Sequence, residues 1–219
     1  MIGRDTLLIL AAAFAAGLAG VWLSQRLGGS TIDTAAASPA ATPLATQMKT
    51  VTLFDTPRAL PAFKLTATDG SAISNAAFKG RWSLVFLGYT RCPDICPTTL
   101  QSLAGAERAW AELTTAQMPR IVFVSVDPTN DTPQKIGEYT HFFNPAIVGA
   151  TADDAMLAMF AKSLGMVFMK VPTNGGDYSI DHSASVSLID PQGRMAGLIR
   201  PPLDSAAIGA DLRTLALSH

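Results

Sequence analysis

The chain has two cysteines, Cys92 and Cys96, four positions apart in Gly88-Tyr89-Thr90-Arg91-Cys92-Pro93-Asp94-Ile95-Cys96-Pro97. A disulfide closing so short a ring stabilises a fold by only roughly 2 kcal/mol in the chain-entropy model, against about 4.7 kcal/mol for a ring of a hundred residues. A structural staple is therefore a poor use of the pair, and two chemistries remain. Paired thiolates are soft ligands, suited to Cu(I) more than to Mg or Ca, and the same pair can form and exchange a disulfide. The plain alternative is two buried cysteines packing as small hydrophobes. The prolines, aspartate and arginine around them argue instead for an exposed loop.

Two sulfurs make an incomplete metal site, and three histidines could complete it. His219 is the last residue of the chain. His141 lies in a helical pattern beside Tyr139 and Phe142, where a packed or surface histidine is the ordinary reading. His182 lies in Tyr178-Ser179-Ile180-Asp181-His182-Ser183, after the turn-forming Asn174-Gly175-Gly176-Asp177 and before a strand. A loop there can fold over the end of a sheet and bring imidazole to sulfur, but spacing alone leaves ligand and ordinary loop residue both open. Asp181 is a candidate to orient the ring, because metal-bound histidines usually donate their second N–H to a partner. Asp94 and Asp127 are further acidic neighbours. Met156 and Met159 on one helix, and Met166, Met169 and Met195 on strands, read as core packing and are assigned no role.

These residues need a scaffold. Trp82 to Tyr89 is a nearly continuous apolar run, as expected of a strand buried on both faces. A helix is expected over Thr98 to Gln117, through Leu100, Leu103, Ala104, Ala106, Trp110 and Leu113. Pro97 places Cys96 just before or in its first turn, where unpaired amides and the helix dipole favour thiolate. Ile121 to Val126 is a second buried strand, and Thr132-Pro133 caps a following helix. Asp153 opens another helix through Leu164, closed by Gly165. Met166 to Val171 is strand-like, Ala184–Ile189 and Met195–Ile199 form a hairpin turning at Asp190-Pro191-Gln192-Gly193, and Leu203 to Leu217 is a closing helix. The pattern is an α/β domain with a mixed central sheet flanked by helices. Its cysteines sit at the carboxyl end of a central strand, where such sheets hold reactive groups.

The N-terminus differs from the rest. Thr6 to Leu23 is eighteen residues without a charge, near the length of a membrane span and longer than a typical signal-peptide core. We expect residues 1–27 to be an uncleaved membrane anchor, 28–50 an Ala/Thr/Pro-rich tether, and 51–219 a domain on the periplasmic, extracytoplasmic side. A cleaved signal ending near Ala35-Ala36-Ala37 is the alternative. Net charge is −1 with no long run of one sign, which argues against a nucleic-acid partner.

Three ordered blocks resemble the Sco/SenC family of membrane-anchored, thioredoxin-like copper proteins. They are the cysteine motif, then Ser125-Val126-Asp127-Pro128 with Asp131-Thr132-Pro133, and finally Asp181-His182-Ser183 with Asp190-Pro191-Gln192-Gly193. The resemblance implies a thioredoxin-like fold with copper, Cu(I) or Cu(II), held by Cys92, Cys96 and His182. It also implies a metallochaperone that takes copper from an upstream donor and helps assemble the dinuclear copper centre in the copper-site subunit of cytochrome c oxidase. The alternative is a thiol–disulfide oxidoreductase acting through Cys92 and Cys96 on the recipient's cysteines. The three-residue gap between the cysteines favours metal over the commoner two-residue redox motif. Asn130 departs from the family, which commonly has arginine there.

Overall fold

The computed structural model describes residues 48–174 and 176–218. The expected anchor, nearly all of the tether and His219 lie outside them. No helix among the described residues is long and apolar enough to cross a membrane.

The domain contains β1 (Val51–Ala59), β2 (Leu65–Ala67), β3 (Ala72–Ile73), β4 (Ser83–Gly88), α1 (Ile95–Ala106), β5 (Arg120–Ser125), α2 (Pro133–Phe143), β6 (Val148–Thr151), α3 (Asp154–Ser163), β7 (Phe168–Pro172), β8 (Tyr178–His182), β9 (Val186–Ile189), β10 (Arg194–Ile199) and α4 (Ser205–Leu217). Short 3₁₀ turns occupy Asn75–Phe78 and Glu107–Trp110. One mixed sheet runs in the order β1-β10-β9-β4-β5-β6-β2-β3, while β7 and β8 form a separate two-stranded sheet. β4, β5 and β6 are parallel, and β9 and β2 flank them antiparallel. β1 pairs with β10 in two stretches, because the register breaks between Leu53 and Arg58.

Alternation along β4 builds the two cores. Leu84 and Phe86 pack on one face with Leu100, Leu103 and Trp110, and with Ile208, Leu212 and Leu215 of α4. Val85 and Leu87 pack on the other with Phe63, Phe78, Leu157, Phe160 and Ile180. A strand covered on both sides must be apolar throughout, and all six residues of β4 are buried.

The expected elements appear with shifted ends. α1 begins at Ile95, three residues before the expected start, and gives way to the 3₁₀ turn after Ala106. The sequence pattern extended this helix to Gln117 because Trp110 and Leu113 continue its apolar stripe, yet they bury from a turn instead. Thr132 and Asp153 cap α2 and α3 as expected, accepting from the Lys135 and Met156 amides. Gly165 follows α3 at φ +70°, a conformation that costs glycine little.

One buried carboxylate ties the start of the domain to its end. Asp211 on α4 accepts from the backbone amides of Lys49, Thr50 and Val51 and from the Thr50 hydroxyl, at 2.7–3.0 Å. Asp211→Ala strands these donors and is expected to cost about 2 to 3 kcal/mol, checked by the midpoint of chemical denaturation at unchanged m-value.

Candidate metal centre

β4 ends at Gly88, and the chain then turns through Thr90 and Arg91 into α1. Thr90 is tied down by Asp131, whose carboxylate accepts from the Thr90 amide at 2.9 Å and its hydroxyl at 2.6 Å. The Ser125 hydroxyl donates to the same carboxylate at 2.5 Å, inside a buried pocket. Asp131 thus fastens the cysteine loop to the end of β5. In the sequence this residue stands in a motif with no role evident from its neighbours. Its signal was faint, an acidic residue just before a Thr-Pro cap.

Cys92 is half-buried and Cys96, in the first turn of α1, is fully buried; both are free thiols. His182 comes from the other side of the site. It ends β8 rather than lying in a loop, and it stands opposite Phe168 in the β7–β8 hairpin. Its Nε2 is 3.2 Å from Cys96 Sγ and 3.9 Å from Cys92 Sγ, and the three donor atoms lie within 4.8 Å of one another. Among the described residues this is the single cluster of His, Cys, Asp and Glu able to hold a metal ion. Phe86 and Tyr89 meet the imidazole edge-on, with centroids 5.7 and 6.1 Å away.

The expected orienting role of Asp181 is not what the structure shows. Asp181 is exposed, because successive residues of a strand point to opposite faces. The imidazole Nδ1 instead lies 3.2 Å from the Ser183 carbonyl. Donation of Nδ1–H there leaves the Nε2 lone pair facing the sulfurs, the tautomer a soft metal requires.

The two thiols are electrostatically unequal. Cys92 is pushed down to about 4, because Cys96 donates to its sulfur. Burial opposes this, while the Cys96 and Asp94 amides at the start of α1 add to it, as does His182 in the metal-free tautomer that carries its proton on Nε2. Cys96 is pushed up, first by its hydrogen bond to Cys92 and then by burial. The Tyr139 hydroxyl is also pushed up, chiefly by burial and then by the nearby sulfurs.

Gly88 is required by close approach. A Cβ there would lie 2.6 Å from Cys96 Sγ and 2.8 Å from the Phe123 ring. Gly88→Ala is therefore expected to displace Cys96 from His182 and weaken metal retention in a folded protein, read by metal titration beside near-UV circular dichroism.

Asp127 does not touch the donor atoms either. It is buried and accepts from Tyr178 at 2.6 Å, from Asn130 at 3.0 and 3.2 Å, and from Arg91 at 3.4 Å. Arg91 also reaches Asp177 at 2.9 Å, and Asn130 donates to the Tyr178 oxygen at 2.7 Å. Burial opposes ionisation of Asp127, but these hydrogen bonds outweigh it and hold the carboxyl below its ordinary value. The set fastens the His182 hairpin to the cysteine loop, with Asn130 inside it. Asp94 precedes α1 without a side-chain capping bond. His141 is exposed and does not belong to this cluster, as expected. Met166 and Met195 are core residues, whereas Met169 is 63% exposed and does not belong to the core.

Comparison with known proteins agrees with this geometry. The SCO1/SenC family model matches residues 53–217. A putative copper-binding protein of Stutzerimonas stutzeri is 36% identical over 70% of this chain and 74% of its own length. The mitochondrial SCO1 homolog 1 of Arabidopsis thaliana is 35% identical over 59% of this chain, but only 39% of that protein is spanned. Copper-bound ScoI of Bradyrhizobium japonicum superposes with a TM-score of 0.65 at 35% identity, covering 72% of this chain and 99% of that one. The chain belongs to the SCO1/SenC family, and its described domain has that family's thioredoxin-like fold.

Proposed function

We propose that this protein is a copper-binding metallochaperone that holds copper through Cys92, Cys96 and His182 and passes it to a recipient by ligand exchange. The observation that carries the reading is the convergence of two sulfurs and one correctly oriented imidazole nitrogen within 4.8 Å. Two thiolates and a nitrogen suit Cu(I), and the imidazole also accommodates Cu(II). Cys92 stands at the solvent side, where an incoming thiolate can reach the metal while Cys96 and His182 still hold it.

The recipient we infer is the copper-site subunit of cytochrome c oxidase, loaded from an upstream copper donor. The proposed setting is the periplasmic face of a membrane, with residues 1–27 as anchor and 28–50 as tether. Family membership supports this setting, as do the apolar run at Thr6–Leu23 and the polar, low-complexity segment after it.

Copper titration of the reduced full-length chain tests the reading. One copper per chain is expected, with loss of tight binding in both Cys92→Ser and Cys96→Ser. Equal retention by either variant would remove the two-sulfur site.

The pairing of a half-exposed thiolate with a buried thiol also supports a second reading, thiol–disulfide exchange. Cys92 would attack a recipient disulfide and release one recipient thiolate. Cys96 would then displace the second, leaving the recipient dithiol reduced and Cys92–Cys96 oxidised.

A further inference from the structure

The opposite end of the sheet carries a second cluster. Arg120 begins β5 and Val148 begins β6, whereas the cysteine loop follows the last residue of β4. A cavity of about 500 Å³ opens there beneath the β2–β3 hairpin. Ile73, Phe78 and Ile147 supply apolar wall, and Asp69, Arg81, Arg120 and His141 are its charged or titratable lining.

Neither Arg81 nor Arg120 forms an ion pair among the described residues. Arg120 donates to the Ala77 carbonyl, and Arg81 reaches the Thr115 carbonyl at 3.4 Å. Each guanidinium fork therefore keeps further N–H groups without an acceptor among the described residues. Burial weakens Arg120 as a cation and the charge of Arg81 weakens it further. Asp69 spends its carboxylate on the Ser71 amide of its own turn. A half-buried like-charge pair is costly unless an anion joins it.

We propose that this cavity binds a phosphate-bearing organic anion, its phosphoryl oxygens between Arg81 and Arg120 and its apolar portion against Ile73, Phe78 and Ile147. Guanidinium forks match phosphate geometry, and His141 at the end of α2 adds a donor at the rim. The site is remote from the cysteines and does not depend on the copper reading.

The test is calorimetric titration of the full-length chain with phenyl phosphate, inorganic phosphate, and dihexanoylphosphatidylglycerol below its micelle concentration, at constant ionic strength set with chloride. One-site binding is expected, with phenyl phosphate tighter than inorganic phosphate and weakened about tenfold or more in Arg81→Gln and Arg120→Gln. Cys92→Ser should leave it unchanged. Arginine-dependent binding confined to the phosphatidylglycerol arm would support the site with a lipid headgroup as source. Absence of one-site binding by all three probes would overturn it. So would affinities unchanged in Arg81→Gln, a variant that loses only a long hydrogen bond and is expected to fold.

Discussion

His182→Ala is expected to abolish copper retention while leaving the dithiol able to exchange. The substitution removes one of three donor atoms, so the loss should exceed the roughly 10- to 100-fold drop that follows removal of a mere hydrogen-bonding partner at a metal site. Folding should survive, because His182 closes a two-stranded sheet at the rim and is only partly buried. The thiols should still oxidise and reduce, since Cys92 keeps the Cys96 thiol and the α1 amides as donors. Copper titration and dithiol–disulfide exchange on the same sample separate the two functions, and oxidase assembly in cells shows which one matters. A variant that no longer holds copper yet fully restores oxidase would sink the chaperone account and leave the reductase.

Asp127→Ala should have the next largest effect, without touching a donor atom. This carboxylate gathers Tyr178, Asn130 and Arg91, which belong to the His182 hairpin, the β5–α2 turn and the cysteine loop. Removing it leaves the partly buried Tyr178 hydroxyl without its acceptor, takes a partner from Asn130 and Arg91, and frees the hairpin to move away from the sulfurs. Copper affinity is expected to fall by about 10- to 100-fold. Tyr178→Phe keeps the carboxylate and loses the bonds to Asp127 and from Asn130, so its effect should be about 1 to 3 kcal/mol. Amide exchange in β8 of the metal-free protein provides a second reading. Faster exchange there, with β4 and β5 still protected, marks a loosened hairpin rather than a destabilised fold. Unchanged copper affinity in Asp127→Ala would show that the hairpin holds its position without this network.

Much of the site was legible because it is local. The cysteines are four residues apart, their loop follows an obvious buried strand, and Pro97 marks the start of α1. His182 lies 86 residues beyond Cys96, and from its own neighbourhood it reads as a loop residue. β8 escaped because Tyr-Ser-Ile-Asp-His has one buried residue in five and pairs outside the main sheet. The strands β1, β2, β3 and β6 also went unread. β2, β3 and β6 have two to four residues each, and β1 is mostly exposed with a proline inside. The carboxylates show the clearest limit. Asp94, Asp127, Asp131 and Asp181 look alike in sequence, and tertiary placement alone decides that Asp127 and Asp131 are buried anchors while Asp181 faces water.

The break in register along β1 bears on how this domain keeps company with others. A sheet is extended by adding strands at its edges, and a long free edge invites association between copies. Here one edge strand carries Asp55 and Pro57 where its ladder is interrupted, and the other edge, β3, is two residues long. Neither presents a continuous row of unpaired amides and carbonyls. Copies of this domain would thus resist zipping together through the edges of the main sheet.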